Sequence, residues 1–277
     1  MMSAFAAILL GVLRGVTVFL PLSYSGHTAL LSGLFGLNTE TDALYALLLN
    51  ISTLLSVVIA YGPRLRKMGV ETMLYVTGRF ENPLGEGRMP TNVRAVCFLL
   101  SALIPTLVLL PLRRFAVSLS ENLWFVCFAL IVQGLFIFAA DRFVKPGEKR
   151  DRTCSLLDVL LVGLGFALGA VPGLSPLGLG LIIGLTRGFH REFAVRFAAM
   201  LTLIPGLIGV LSAILRLFRG GAAWGSLPWY LIGAALSAFL GAICIGATTR
   251  ILARKRFRRA AWCLWLVGGA ALIAAIF

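Results

Sequence analysis

The stretch from Gly11 to His27, GVLRGVTVFLPLSYSGH, limits what this chain can fold into more than any other. It sets Arg14 inside an apolar run, breaks that run at Pro21, and continues into a small hydroxyl-rich turn, Ser23-Tyr24-Ser25-Gly26, closed by His27. The surroundings decide what this means. Of the 277 residues, 59% are hydrophobic and 13% charged, with a mean hydropathy of +0.96, whereas a soluble domain carries roughly 25% charged residues. The chain is an all-α polytopic membrane protein. A charge at hydrocarbon depth costs several kcal/mol and is kept where it faces a cavity or a partner. Irregular backbone at that depth needs protein or a water-filled pocket to satisfy its N–H and C=O groups. Arg14, the turn and His27 therefore read together as a polar pocket. The other reading open to them is a short amphipathic helix and a loop, with Arg14 snorkelling to the interface.

The formal net charge is +14. The basic residues fall in short segments between apolar runs, where the positive-inside rule expects them, so their partners are lipid headgroups and not nucleic acid. Cys97, Cys127, Cys154, Cys244 and Cys263 are scattered, odd in number and without a CxxC. They read as packing residues, with neither a disulfide nor a metal site. The opening MMSAFAAILL has no basic n-region and no small-residue cleavage site, and is expected to belong to the mature protein.

Taken in order, residues 3–20 and 22–37 form two short apolar helices around the Pro21 turn, each below the ~20 residues a span needs, and so a re-entrant hairpin. Spans follow at 43–62 (with Asn50, Ser52 and Thr53), 93–112 (with Pro105 as a kink) and 123–140. Polar, basic segments lie at 63–92 (Arg64, Arg66, Lys67, Arg79, Arg88) and 141–155. The pattern then repeats. Residues 156–171 run into a second break, Pro172-Gly173-Leu174-Ser175-Pro176-Leu177-Gly178, followed by 179–186, a basic stretch at 187–196, and spans at 197–217, 227–249 and 260–277. Pro176 is expected to end the first arm of that hairpin, and Arg187, Arg191 and Arg196 to act as interfacial topology charges. The expected organisation is one membrane domain, 1–277, of two repeats, 3–140 and 156–277, each a re-entrant hairpin plus three transmembrane helices. With the basic segments 63–92, 141–155 and 250–259 on the cytoplasmic side and both termini outside, the hairpins enter from opposite faces. That is an inverted-topology repeat with its two breaks meeting near the midplane. Arg113 and Arg114 fall on the side this assigns to the exterior.

These breaks and their flanks resemble the two signature regions of the undecaprenyl-diphosphate phosphatases, the bacitracin-resistance membrane phosphatases of bacterial envelope synthesis. The family's first region, roughly E-G-x-T-E-F-L-P-V-S-S-[ST]-G-H, is similar to Arg14-Gly15-Val16-Thr17-Val18-Phe19-Leu20-Pro21-Leu22-Ser23-Tyr24-Ser25-Gly26-His27, without a gap. Its second, roughly P-G-x-S-R-S-G, is similar to Pro172–Gly178. Residues 187–197, RGFHREFAVRF, look like its [ST]-R-E-x-A-x-R-F stretch, and Asn50 falls where the family usually has glutamine. The resemblance implies an inner-membrane protein of bacteria whose partner is a polyprenyl phosphate or diphosphate, used in lipid-carrier recycling for peptidoglycan synthesis.

The departures weigh more. The family's active site uses two glutamates and a serine of the first region, its histidine, and the arginine of the second. Here the glutamates are Arg14 and Val18, the middle serine is Tyr24, and the arginine is Pro176. Of the 11 acidic residues only Asp158 stands apart from loops and segment ends, at the start of the second hairpin and away from its break. No carboxylate is placed to hold a divalent cation, so no metal or other cofactor is expected. The expected head-group contacts are Arg14, Ser23, Tyr24, Ser25, Gly26, His27, Asn50, Ser175 and Gly178. The expected function is binding or translocation of a lipid phosphate without efficient hydrolysis. The alternative is a slow or altered diphosphatase, with His27 and Ser25 catalytic. His27 could also be a hydrogen-bonded structural histidine and Tyr24 a filler of the pocket. A homodimer is left open.

Overall fold

The computed structural model describes residues 2–80, 89–109, 111, 113–145, 147–220 and 222–276. Arg88 and the end of the basic segment 63–92 lie outside them. Every regular element among the described residues is helical, apart from one isolated bridge between Lys149 and Phe189.

The first hairpin is α1 (Ala4–Phe19) and α2 (Tyr24–Phe35). Ser3 starts α1 by accepting the Ala6 N–H at 3.1 Å. The helix stops because Pro21 drives the residue before it out of the helical region, and Leu20 is extended (φ −86, ψ 137). Gly36, in the left-handed conformation, closes α2.

The next helix, α3 (Ala43–Val76), opens under Asp42, whose Oδ1 accepts the Tyr45 N–H at 2.8 Å. It does not end near residue 62 as expected. A kink at Tyr61 (φ −132, ψ 17) absorbs the clash of the Pro63 ring with the preceding turn, and the helix resumes as far as Val76. Half of the polar segment expected at 63–92 is therefore helix.

The span expected at 93–112 is in two pieces, α4 (Thr91–Ser101) and α5 (Ile104–Val108). The span at 197–217 is likewise split into α10 (Arg191–Leu201) and α11 (Leu203–Phe218). In each case a proline four residues on, Pro105 after Ser101 and Pro205 after Leu201, has no N–H to offer the carbonyl that would bridge the break. Between these come α6 (Arg113–Ser120), α7 (Leu123–Phe143), α8 (Leu156–Leu168) and α9 (Pro176–Thr186); α12 (Leu227–Ala253) and α13 (Arg258–Ala274) close the chain. Five segments, 43–76, 91–108, 123–143, 191–218 and 224–253, are long and apolar enough to cross a membrane. The chain is a multi-pass, all-helical membrane protein.

Backbone approach sets the packing. A Cβ on Gly11 would lie 2.2 Å from the Gly233 carbonyl oxygen, so α1 can lie against α12 only with glycine at that crossing. Ser52 on α3 donates to Ser237 on α12 at 2.8 Å, and Tyr45 stacks on Tyr230 at 4.4 Å. In the other half, α8 rests on α9, α4 and α5.

One end of the bundle is tied by ions. Asp158, fully buried, completes a capping box with Ser155 and accepts from Lys149 Nζ at 2.8 Å and Arg187 Nε at 2.7 Å. Asp151 joins Arg64 of α3 (2.8 Å) to Arg196 of α10 (2.7 Å), and Arg191 donates to the Leu252 carbonyl at 2.6 Å. The three arginines expected to be simple interfacial charges are thus cross-links between elements distant in sequence. Beneath them burial pushes the Cys154 thiol up to about 11, which fits a packing cysteine.

Candidate functional site

The first turn is built on Ser23. It adopts φ +65, rare for a residue with a Cβ and worth about 1–3 kcal/mol of strain. Three contacts hold it there. Its Oγ accepts the Gly26 N–H at 3.1 Å, its carbonyl accepts the His27 N–H at 3.2 Å, and the same carbonyl lies 2.9 Å from His27 Nδ1. A carbonyl can only accept, so Nδ1 carries the hydrogen, and Nε2 of a neutral His27 keeps its lone pair. Ser25 Oγ lies 3.4 Å from Ser23 Oγ. Ser23 is buried, while Tyr24, Ser25 and His27 are half-buried and form the accessible side of the turn.

The second turn repeats the device. Ser175 caps α9, its Oγ accepting the Gly178 N–H at 3.1 Å, with Pro176 at the first helical position. Pro176 therefore opens the second arm and does not end the first, which has already stopped at Leu168. Proline suits that position because the first N–H of a helix has no intrahelical acceptor to lose.

The two turns touch. A Cβ on Gly26 would lie 3.0 Å from Gly173 Cα, and one on Gly178 would lie 3.0 Å from Pro21 Cβ. Both rest on one face of α7. Gly173, at φ +90, sits against Ala129 and the Val126 carbonyl, Gly26 against Leu130, and Ser175 and Gly178 against Gln133. These α7 positions are spaced three and four apart, the spacing of a single helix face.

Arg14 forms a second cluster beside the first turn. Its Nε donates to Thr53 Oγ1 at 3.1 Å and its Nη2 to Asn50 Oδ1 at 2.9 Å, while Asn50 Nδ2 donates back to the Ala46 carbonyl at 2.8 Å. The guanidinium carbon lies 5.2 Å from the centre of the Tyr24 ring, within cation–π range. Arg14 thus turns inward onto α3 and α2 and does not snorkel. The ion pairs of the described residues all involve other cations, so only neutral groups meet Arg14 here. Val18, one turn on, packs against the main core.

The structure thus groups Arg14, Tyr24 and Asn50, to which Thr53 must be added. Separately it groups Ser23, Ser25, Gly26 and His27 with Ser175 and Gly178, to which Gln133 must be added. Among the described residues no hydrogen bond joins His27 or Ser175 to Arg14, and Tyr24 and Ser25, adjacent in α2, are the link between the groups. Gln133 escaped the sequence reading. Its signal was a lone amide in the otherwise apolar run 123–140.

The donor set at the turns consists of hydroxyls, one imidazole, an amide and backbone N–H groups. Among the described residues no group of three or more His, Cys, Asp or Glu is placed to hold a metal ion.

The family model described as bacitracin resistance protein BacA matches residues 7–270. The chain belongs to this family. Undecaprenyl-diphosphatase 1 of Shouchella clausii is 32% identical over 212 residues, 75% of this chain and 73% of its own length. The undecaprenyl-diphosphatase of Novosphingobium aromaticivorans is 30% identical over 272 residues, 96% of each chain. That of Desulforapulum autotrophicum is 28% identical over 277 residues, 99% of each. Within the BacA family, then, this chain carries the two turns in contact, with Arg14 beside the first of them and Val18 packed against the main core.

Proposed function

We propose that this chain binds the phosphate head of a polyprenyl phosphate or diphosphate at its paired turns, as a carrier or sensor, without hydrolysing it efficiently. The observation that carries the reading is Arg14, a half-buried guanidinium whose contacts, Asn50, Thr53 and the Tyr24 ring, are all neutral. Such a cation needs a counter-ion, and a phosphate can take two parallel charge-assisted hydrogen bonds from it. The lipid class comes from the relatives, which are named for undecaprenyl diphosphate.

Phosphoryl transfer needs an activated nucleophile, proton transfer and cationic stabilisation. Asp158, Asp151 and Asp141 are engaged among the basic loops, and Asp42 caps α3. This distribution supports a site without a carboxylate base and without a divalent cation. We also infer that the halves 3–140 and 156–277 form an inverted repeat of re-entrant hairpins in the bacterial inner membrane. Hairpin arms of 16, 12, 13 and 11 residues support it. So does the exchange in which α1 packs on α12 of the other half and α8 on α4 and α5.

The second reading is a slow diphosphatase. The Nδ1 contact of His27 favours it, because it leaves Nε2 for proton transfer. Binding of undecaprenyl diphosphate by the wild type, Arg14→Lys and Arg14→Gln, with phosphate release measured in parallel, tests the proposal. Lysine loses the bidentate contact and glutamine the charge as well, so affinity should fall in both, by about tenfold or more in Arg14→Gln. Unchanged affinity in a folded Arg14→Gln protein overturns it, and phosphate release abolished by His27→Ala establishes the second reading instead.

A further inference from the structure

The buried polar residue that the sequence reading passed over is Gln133. Its side chain is fully buried in the middle of α7, at the junction of the two turns. Oε1 accepts a long hydrogen bond, 3.4 Å, from the Ser175 N–H, and Nε2 has no partner. That unpartnered amide nitrogen faces the first turn of α9. The position a Cβ would take on Gly178 lies 2.6 Å from Nε2 and 3.0 Å from Pro21 Cβ, so Nε2 sits between the two turns.

A buried donor without an acceptor is unfavourable, and native interiors rarely keep one without a use for it. The groups around it are all donors or neutral. Ser175 Oγ takes the Gly178 N–H, Pro176 has no N–H, and no described acceptor takes the N–H of Leu177. The positive end of the α9 dipole points the same way. A site made of an unpaired amide, a helix N-terminus and an uncommitted backbone N–H is complementary to an anionic oxygen and to little else.

We propose that Gln133 is a head-group contact of the lipid-phosphate site, its Nε2–H donating to a phosphoryl oxygen seated between the Ser23–His27 turn and the N-terminus of α9. The inference rests on the lipid-phosphate reading above and extends it. Arg14 and Tyr24 engage the head group from the accessible side, while Gln133 lies on the floor between the two turns. Gln133 stands in the same half of the chain as Arg14, so the second half would contribute only backbone and Ser175 to the anion.

The test uses the full-length protein in nanodiscs, with undecaprenyl diphosphate, undecaprenyl phosphate and free pyrophosphate as probes, and the variants Gln133→Leu and Gln133→Met. Both substitutions remove the donor while keeping similar volume. If the amide serves the ligand, affinity for the lipid probes falls about tenfold, equivalent to roughly 1.4 kcal/mol. The thermal midpoint of the unliganded protein changes little, because removing the unpaired Nε2 offsets the long contact to the Ser175 N–H that is lost with it. Weaker binding of pyrophosphate that falls in the same proportion places the effect at the head group. Wild-type affinity in both variants overturns the proposal, as does an affinity loss accompanied by a comparable loss of stability, which marks Gln133 as packing alone. Loss of binding in Arg14→Gln with retention in Gln133→Leu overturns the role of Gln133 and leaves the lipid-phosphate reading standing. Absence of wild-type binding overturns both.

Discussion

Alanine at Gly173 and at Gly188 separates the contact of the second turn with α7 from the simple need for glycine. Both residues have positive φ, +90 and +82. At either, an L side chain forced into the left-handed region costs about 1–2 kcal/mol. Only at Gly173 does the new Cβ also collide, 2.5 Å from Ala129 Cβ and 2.9 Å from the Val126 carbonyl oxygen; at Gly188 nothing lies within 4 Å. The backbone carbonyl cannot rotate away, so the turn must lift off α7, and overpacking of this kind adds about 1–3 kcal/mol. At about 2–4 °C per kcal/mol for a chain of this size, Gly173→Ala should lower the thermal midpoint by roughly 5 °C more than Gly188→Ala. Lipid-phosphate affinity should fall only in Gly173→Ala, since only that residue touches Gly26 of the first turn. Fluorescence-monitored unfolding in detergent, with binding measured on the same preparations, gives both readouts. Equal midpoints, or equal affinities, would refute the claim that α7 holds the two turns in register.

Two further outcomes follow from the ion network and the charge pattern. Asp158→Ala strips the capping box and leaves Lys149 and Arg187 unpaired, but their side chains are each 38% exposed and can rehydrate. The loss in thermal unfolding should therefore be about 2 kcal/mol, below the 3–5 of a fully buried pair, and Asp158→Asn, which keeps an acceptor for the Ser155 N–H, should recover part of it. In intact cells a membrane-impermeant thiol reagent should not label Arg256→Cys, in the basic turn between α12 and α13; labelling from outside would reverse the topology.

Local chemistry made the framework legible. Apolar runs gave the spans at 123–140 and 227–249 nearly to their ends, and the breaks at Pro21 and Pro172–Gly178 were visible as polar, irregular residues in apolar surroundings. Asn50 was legible through its place in the family pattern and does meet Arg14. Where the reading failed, the cause was a contact that spacing cannot encode. The helix continues past Pro63, and just beyond the proline Arg64 reaches Asp151, 87 residues on. The two split spans follow from a proline rule that predicts a kink but not whether the helix axis recovers. Pro176 fits either side of a turn, and only the Ser175 cap decides which. Gln133 acquired meaning once Ser175, Gly178 and Pro21 were seen around it, three positions scattered over more than half the chain.

The central claim, a site that holds a lipid diphosphate and leaves it intact, is tested most directly by native mass spectrometry of the purified protein after incubation with undecaprenyl diphosphate. One spectrum reports both occupancy and the chemical state of the bound lipid. The account predicts a single adduct at the mass of the intact diphosphate, diminished in Arg14→Gln. An adduct at the mass of undecaprenyl monophosphate, growing with time as free phosphate appears, would contradict it, and so would a spectrum without any lipid adduct.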